Sequence, residues 1–329
     1  MTVELRIASP GPQATVQDHP GRLGRLADGV SAAGPMDHLA FRLANLLVGN
    51  PPAAAGLEIT LGGVRATFSE PATIALAGTD PQATLDGQLL PVWQSISVDG
   101  GAELRMRMSR GPGFRCYLAI AGGIALEPVL GSRATHTLAA MGGVGGRPLQ
   151  KGDVLPLGEE EGTPGRRVRP DLLPEYGHEW ELEVVRGPQA DPDYLTPADV
   201  QKMYSRPWGV DANSNRLGLR LEPFDFEWAR GGGGIAGGHP SNILDNGYPL
   251  GGINMNGDTP VILGPDGPTS GGFVVVATVT SASMWKLGQI RPGTDKVRLR
   301  EATVAEAAEH AARLDALVSE ASLEAVPAA

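Results

Sequence analysis

Between Gly56 and Pro156 the chain reads as short apolar runs separated by turns: LEITLG, ATFS, TIALAG, SISVDG, AELRMRM and RCYLAIAGG. This pattern constrains the fold more than any other feature, because strands of that length at that spacing build a barrel or a sandwich. The 46 Gly and 28 Pro, against only 19% charged residues, suit a turn-rich β-protein better than a helical one. The expectation is a mostly β chain with a few helices.

At 329 residues the chain is long enough for two domains of usual size. A net charge of -10 argues against nucleic acid or an anionic membrane as the main partner. The single cysteine, Cys116, excludes an intramolecular disulfide framework and suits a reducing compartment. The N-terminal MTVELRIASPGPQ has neither the basic flank nor the apolar core of a signal peptide, and no apolar run approaches the roughly 20 residues of a membrane helix. A soluble, cytoplasmic protein is expected.

The chain opens with a strand at Val3–Ala8. A helix follows, with Asp37 as N-cap and Leu39, Leu43, Leu46 and Leu47 at helical spacing; Gly49-Asn50-Pro51-Pro52 ends it. The charged, Pro- and Gly-rich run near 158–178 reads as a linker. A second unit starts with WELEVVRGPQ and continues through a helix with Thr196 as N-cap and Pro197 at its first position. Strands then run to Lys296–Leu299, and the alanine-rich tail is an amphipathic helix. Both units share an outline of strand, helix and several strands, without a repeat in the sequence itself.

Chemistry concentrates in the run from His239 to Gln289. His239, Asn242, Asp245, Asn254, Asn256, Asp258 and Asp266 crowd into a segment otherwise filled with Gly, Pro and aliphatics. Short, stiff polar residues between strands are how a site is held on a β-scaffold, although each alone is also a turn former. The GGGGIAGG run at 231–238 lacks the Gly-Lys-Ser/Thr of a phosphate loop and reads as a mobile lid or a tight loop. No His-Glu-x-x-His helix, cysteine pair or G-x-S-x-G elbow is present, so neither a metal site nor a serine hydrolase is expected.

Two cations stand out. The chain has four lysines against 23 arginines, and Lys286 lies in the apolar, strand-like ASMWKLGQI. It either snorkels to solvent or aims a partly desolvated ammonium into a cleft. Arg216, in DANSNRLGLRLEP with Asn213 and Asn215, either clasps a ligand carboxylate in a bidentate pair or pairs with an acid of the protein.

Longer segments carry a resemblance. GPQATVQDHPGRLGRLADGVSAAGPMDHLAFRLANLLVGN and YLAIAGGIALEPVLGSRATHTLAAMGGVGGRPLQKGDVL resemble the carboxyltransferase A/B family. Its members are known as allophanate hydrolase subunit 2, the C-subunit of 5-oxoprolinase or a sporulation-kinase-inhibitor antagonist. RGPQADPDYLTPADV, NSNRLGLRL, HPSNILDNGYPLGGINMNGDTPVIL and DGPTSGGFVVVATVTSASMWKLGQIRPG look like the carboxyltransferase domain of urea carboxylase. Nearly all of residues 3–300 is covered.

The resemblance implies two cyclophilin-like β-barrel subdomains, at 1–165 and 176–302, with a C-terminal amphipathic helix and tail at 303–329. It implies one component of a biotin-dependent carboxyltransferase moving a carboxyl group from carboxybiotin to a urea-like nitrogen, inactive alone. The partner implied is a smaller carboxyltransferase subunit 1 homologue, with biotin carboxylase and a biotin carrier beyond it. Biotin would ride on that separate carrier, unattached to this chain, and no nucleotide site is expected here. An ATP-dependent 5-oxoprolinase component and a regulatory kinase-inhibitor antagonist are the alternatives. Within this chemistry Lys286, Arg216, Asn242 and Asn254 suit charge stabilisation and Asn215 adds a donor. Asp245 and Asp266 suit the orientation of an NH₂-rich substrate, and His239 suits a proton relay. The carboxylates of Asp245 and Asp266 are expected to face one concavity with the ammonium of Lys286.

Overall fold

The structure, a computed structural model, describes residues 3–327. The described residues divide into two compact units, one of residues 3–22, 33–176 and 314–327, the other of 23–32 and 177–313. Each is mostly β, as expected.

The first unit holds two sheets. A six-stranded sheet runs in the order Val154–Pro156, Glu4–Pro10, Val64–Phe68, Glu103–Arg105, Thr84–Leu85, Gln88–Leu89. A seven-stranded sheet runs Gln13–Gln17, Gly56–Thr60, Arg115–Ile120, Ala72–Gly78, Gln94–Val98, Arg166–Val168, Leu323–Ala325. Both ladders are open at their ends. Inward side chains of the two sheets, among them Leu5, Phe68, Leu57, Ile59, Ile74 and Leu118, form one core. Helix α1 (His38–Leu47) packs on the strands Arg115–Ile120 and Ala72–Gly78. Arg115–Ile120 is buried at all six positions, which is why its sequence reads as a continuous apolar run and not as an alternation. Asp37 caps α1, its Oδ1 accepting from the Ala40 amide at 2.9 Å. Across that contact the Phe41 ring meets Tyr117 edge-on at 5.9 Å.

The second unit is built on a seven-stranded sheet in the order Pro207–Gly209, Lys296–Glu301, Glu179–Arg186, Val275–Val279, Gly252–Asn256, Thr259–Leu263, Gly218–Arg220. A separate ribbon pairs Asn242–Gly247 with Ser270–Phe273. Helix α2 (Pro197–Ser205) opens with a capping box between Thr196 and Asp199 and lies against Lys296–Glu301. The Asp199 carboxylate also accepts from the amides of Glu227 at 3.0 Å and Trp228 at 3.1 Å, tying the helix to the aromatic run Phe224, Phe226, Trp228.

Three local expectations change. ASMWKLGQI is not a strand: Ser281–Met284 forms a short helix, α3, and Trp285–Gly288 a 3-10 turn. A strand would place Trp285 and Leu287 opposite Lys286, and the 3-10 turn likewise buries both of them while the lysine stays half-buried. The apolar content therefore could not distinguish the two. The charged run near 158–178 is not wholly a linker, since Arg166–Val168 joins the first unit's sheet. The tail at 303–329 is not a helix alone. After α4 (Val304–Leu317), capped by Thr303 and Glu306, the strand Leu323–Ala325 pairs with Arg166–Val168.

Candidate active site

The second unit's sheet carries a row of residues fixed by strand register. Arg220 is opposite Val261, and Val261 is opposite Asn254 on its other side. Side chains in such a row leave the same face. One strand spacing is roughly 4.8 Å, so the Arg220 and Asn254 backbones lie about 10 Å apart with an apolar residue between them. By the same alternation Gly218, Leu263 and Asn256 share the face.

These residues floor a cavity of about 370 Å³. Asn213 and Asn215 border it from the turn before Gly218, and Tyr248, Ser270 and Phe273 border it from the ribbon side. Tyr248, Leu263 and Val275 are a small buried apolar cluster, with Val261 and Phe273 packed against it. The ribbon is shaped for the tyrosine: a Cβ at Gly271 would lie 2.9 Å from the Tyr248 ring and hydroxyl. Phe273 donates its amide to the Tyr248 hydroxyl at 2.8 Å, which leaves the hydroxyl proton to point elsewhere.

The polar groups here are weighted toward donors. Asn254 is 5% exposed and its Nδ2 has no hydrogen-bond partner among the described residues. A buried amide left without a partner costs about 1–3 kcal/mol. Asn215 spends its carbonyl on the Leu217 amide at 2.8 Å, leaving its own NH₂ over. Asn213 is reversed, its Nδ2 donating to Asp211 at 2.9 Å. Arg220 is exposed, its backbone held by Ser214 Oγ at 2.9 Å. No Asp, Glu, His or Lys is among the lining residues.

The structure brings Asn254 and Asn215 together, and the other expected residues fall elsewhere. Arg216 and Asp266 take the structural alternative. Nε reaches Oδ2 at 2.8 Å and Nη2 reaches Oδ1 at 2.7 Å, with side chains 5% and 1% exposed. This bidentate pair joins the 213–217 turn to the 264–268 loop, whose backbones also bond through Gly264 to Leu217 and Asp266 to Arg216. It is a strut behind the cavity wall. Lys286 donates to the Glu181 carbonyl at 2.8 Å, and burial pushes its ammonium below the usual lysine value. Asp245 is exposed and accepts from the Asn246 amide at 2.9 Å. Asp245, Asp266 and Lys286 thus do not share this concavity, because one carboxylate is consumed by Arg216 and the ammonium by a strand carbonyl.

His239 lies outside the lining. Its Nδ1 accepts from the Ser241 amide at 3.1 Å and meets the Ser241 hydroxyl at 2.8 Å, while Nε2 faces Asp258 at 3.5 Å and the ring meets Trp228 edge-on. Ser241 is fully buried, so this is a turn lock and not an accessible nucleophile. Asn242 packs under the glycine run: a Cβ on Gly237, whose φ is 137°, would lie 2.3 Å from Asn242 Nδ2. Arg230 bonds the carbonyls of Pro240 and Asn242 across the same run, so GGGGIAGG is the tight loop. Arg220 and Tyr248 escaped the sequence reading. Gly218 and Arg220 alternate on one strand face, whereas Arg216 precedes the strand, but the pairing that sets Arg220 in line with Asn254 is not local.

A unit with this sheet and cavity matches known proteins along most of its length. Residues 28–301 match the family described as carboxyltransferase domain, subdomain A and B. The chain belongs to this family. Among relatives of this carboxyltransferase domain, urea amidolyase of Lachancea kluyveri is 43% identical over 301 residues, 88% of this chain and 16% of that protein. The C-subunit of 5-oxoprolinase from Escherichia coli K12 is 33% identical over 302 residues, 88% of each chain. The crystal structure of Kluyveromyces lactis urea carboxylase superposes with a TM-score of 0.92 at 37% identity, over 96% of this chain and 29% of that one. The carboxyltransferase domain thus spans about a sixth of the urea amidolyase it matches. No helix among the described residues is long and apolar enough to cross a membrane.

Proposed function

We propose that this chain holds the ligand in a biotin-dependent carboxyltransferase that moves a carboxyl group to a urea-like nitrogen. The observation that carries the reading is the donor-lined cavity, with the unpartnered Asn254 Nδ2 at its floor, in a chain of the carboxyltransferase family. Moving a carboxyl group places negative charge on carbonyl and carboxylate oxygens. Fixed neutral donors in a site shielded from water stabilise that charge without reorganising.

In this reading Asn254 and Asn215 donate amide protons to ligand oxygens, and the Tyr248 hydroxyl donates its remaining proton. Val261, Leu263 and Phe273 exclude water and flank a flat ligand. Carboxybiotin, brought on a separate carrier, supplies the carboxyl group. The test of fit for its ureido and carboxyl oxygens is the donor set itself: acceptor-rich groups meet amide N–H, phenol and guanidinium, with no lining carboxylate to repel them. The proton leaving the substrate nitrogen passes to a group outside this lining. A smaller companion carboxyltransferase chain or domain therefore completes the site, and the chain alone does not turn over. A cytoplasmic setting accompanies this reading.

A second reading, a 5-oxoprolinase component whose companion uses ATP, draws support from the relative matched over 88% of its own length. Assaying the chain with its companion on urea plus carboxybiotin, and separately on 5-oxoproline plus ATP, separates the two. Turnover of urea supports the first; turnover of 5-oxoproline alone overturns it in favour of the second.

A further inference from the structure

We infer that Arg105, Arg107 and Arg110, with the cavity beside them in the first unit, form a docking groove for an extended acidic segment of a partner protein. The inference goes beyond the carboxyltransferase reading and does not depend on it.

The sequence ELRMRMSRG sets the arrangement. In extended backbone, successive side chains leave opposite faces. Leu104 and Met106 therefore enter the first unit's core, while Arg105 and Arg107 are exposed, roughly 7 Å apart along the chain. The backbone beneath them is fixed. The amides of Met106, Arg107 and Ser109 donate to the carbonyls of Val64, Pro81 and Leu61, each at 2.8 Å, and the buried Ser109 hydroxyl meets that of Thr79 at 2.9 Å. Groups carried on such a frame lose little freedom on binding.

Their charges are the second observation. Arg65 stands directly opposite Arg105, a like-charge pairing that costs stability unless an anion relieves it. Glu103 relieves Arg65, accepting from its Nε at 2.9 Å and its Nη2 at 2.6 Å, and lies 4.0 Å from Arg105. The guanidiniums of Arg107 and Arg110 have no hydrogen bond or ion pair among the described residues. By contrast Arg115, Arg147 and Arg167 each face an acid. Three neighbouring guanidiniums short of partners, in a chain of net charge -10, mark a surface kept for carboxylates from outside.

The third is the space beside them. A cavity of about 610 Å³ is bordered by Asp80, Gln82, Arg107, Met108, Arg110 and Gly111. Met108 is 47% exposed and offers a pliant contact to an apolar side chain. The exposed Asp80 carboxylate accepts from the Gln82 amide at 2.7 Å and keeps lone pairs for a further donor. This mixture selects the occupant. An extended peptide returns to the same face every second residue, so acids at alternate positions match the spacing of Arg105 and Arg107. Its backbone N–H groups suit Asp80. A polyphosphate sets its charges much closer together and has no donor for Asp80, which repels it.

Fluorescence anisotropy of a labelled peptide titrated with the full chain tests this. The probes are a short peptide alternating Glu and Thr, one of the same composition with its Glu residues adjacent, and the alternating peptide with Gln for Glu. The alternating acidic peptide should bind several-fold tighter than the blocked one, and the Gln peptide should not bind. Arg107→Gln combined with Arg110→Gln should weaken the alternating peptide by roughly ten-fold, the scale of two exposed charge pairs, and flatten its salt dependence. Arg169→Gln, at an exposed arginine paired with Asp171, should leave binding within two-fold. The replaced side chains are exposed, so the fold should persist, and melting curves check this. The inference is overturned if the blocked peptide binds as tightly as the alternating one, if the double variant binds like the parent, or if no peptide binds. Inorganic tripolyphosphate that displaces the peptide at equal concentration also overturns it, in favour of a small-anion site. A dimer in sedimentation velocity that the double variant abolishes overturns it in favour of a second copy of this chain.

Discussion

The buried pair Arg216–Asp266 gives the sharpest energetic prediction. Both side chains are almost wholly out of water and their two hydrogen bonds, at 2.7 and 2.8 Å, are near ideal. Replacing Asp266 by Ala strands a guanidinium in a site built for a pair, which costs about 3–5 kcal/mol. At roughly 3 °C per kcal/mol for a unit of this size, the melting temperature should fall by about 10 °C or more. The double replacement Arg216→Met with Asp266→Leu removes both charges together and should recover most of that loss, since an apolar pair of similar volume is close to neutral. Urea unfolding followed by tryptophan fluorescence reads mainly the second unit, because four of the five tryptophans, Trp180, Trp208, Trp228 and Trp285, lie there and only Trp93 lies in the first. A single-variant loss below about 1 kcal/mol would refute the account of the pair as a strut. So would a double variant no more stable than Asp266→Ala. A sound strut also predicts that Asp266→Ala weakens ligand binding at 25 °C, since Pro268 and Ser270 continue from the freed loop into the cavity wall.

Other predictions follow from charge and burial. Burial disfavours the Asp199 carboxylate, but bonds from Glu227, Thr196 and Trp228 outweigh it and hold its pKa below the ordinary aspartate value. Its stabilisation is therefore full above the unfolded value near 3.8 and is lost as pH falls through the lower folded value; Asp199→Ala should cost about 2 kcal/mol at pH 7 by chemical denaturation. His19 is pushed down to about 4 by burial and by Arg42 and His38. The unfolded chain takes up that proton first, so melting temperature should drop as pH falls from about 6.5 toward 4, and His19→Gln should flatten the drop. Burial raises the Cys116 thiol far above its usual range, so a thiol reagent should label it only when the first unit unfolds. Labelling of the folded protein within minutes would contradict this.

Much of the architecture was legible because caps and periodicity act locally. Asp37 before an apolar heptad-like face and Thr196-Pro197 before α2 specify helix starts through groups only three residues away. Short apolar runs between turns specified strands for the same reason. The failures were non-local. Whether ASMWKLGQI is strand or helix depends on what covers Trp285 and Leu287, and the run near 158–178 is ordered by pairing with segments about 70 and more than 150 residues away. The site followed the same division. Asn254 and Asn215 could be named because they are amides in a stiff context, but the partner of Arg216 lies 50 positions on in Asp266. Nothing in either local sequence says that the two charges cancel. Arg220 gained its place from a register across three strands that only the folded sheet supplies.

The most direct test of the central claim is the rate of labelled carboxyl transfer from carboxybiotin to urea by the chain assembled with its companion, comparing the parent with Asn254→Leu. Leucine fills the same volume and removes the unpartnered amide, so the account predicts an unchanged or slightly raised melting temperature. It also predicts a kcat/KM lowered by about two orders of magnitude, the scale for losing one preorganised donor. A variant that transfers the carboxyl group as fast as the parent would contradict the assignment of this cavity to the chemistry.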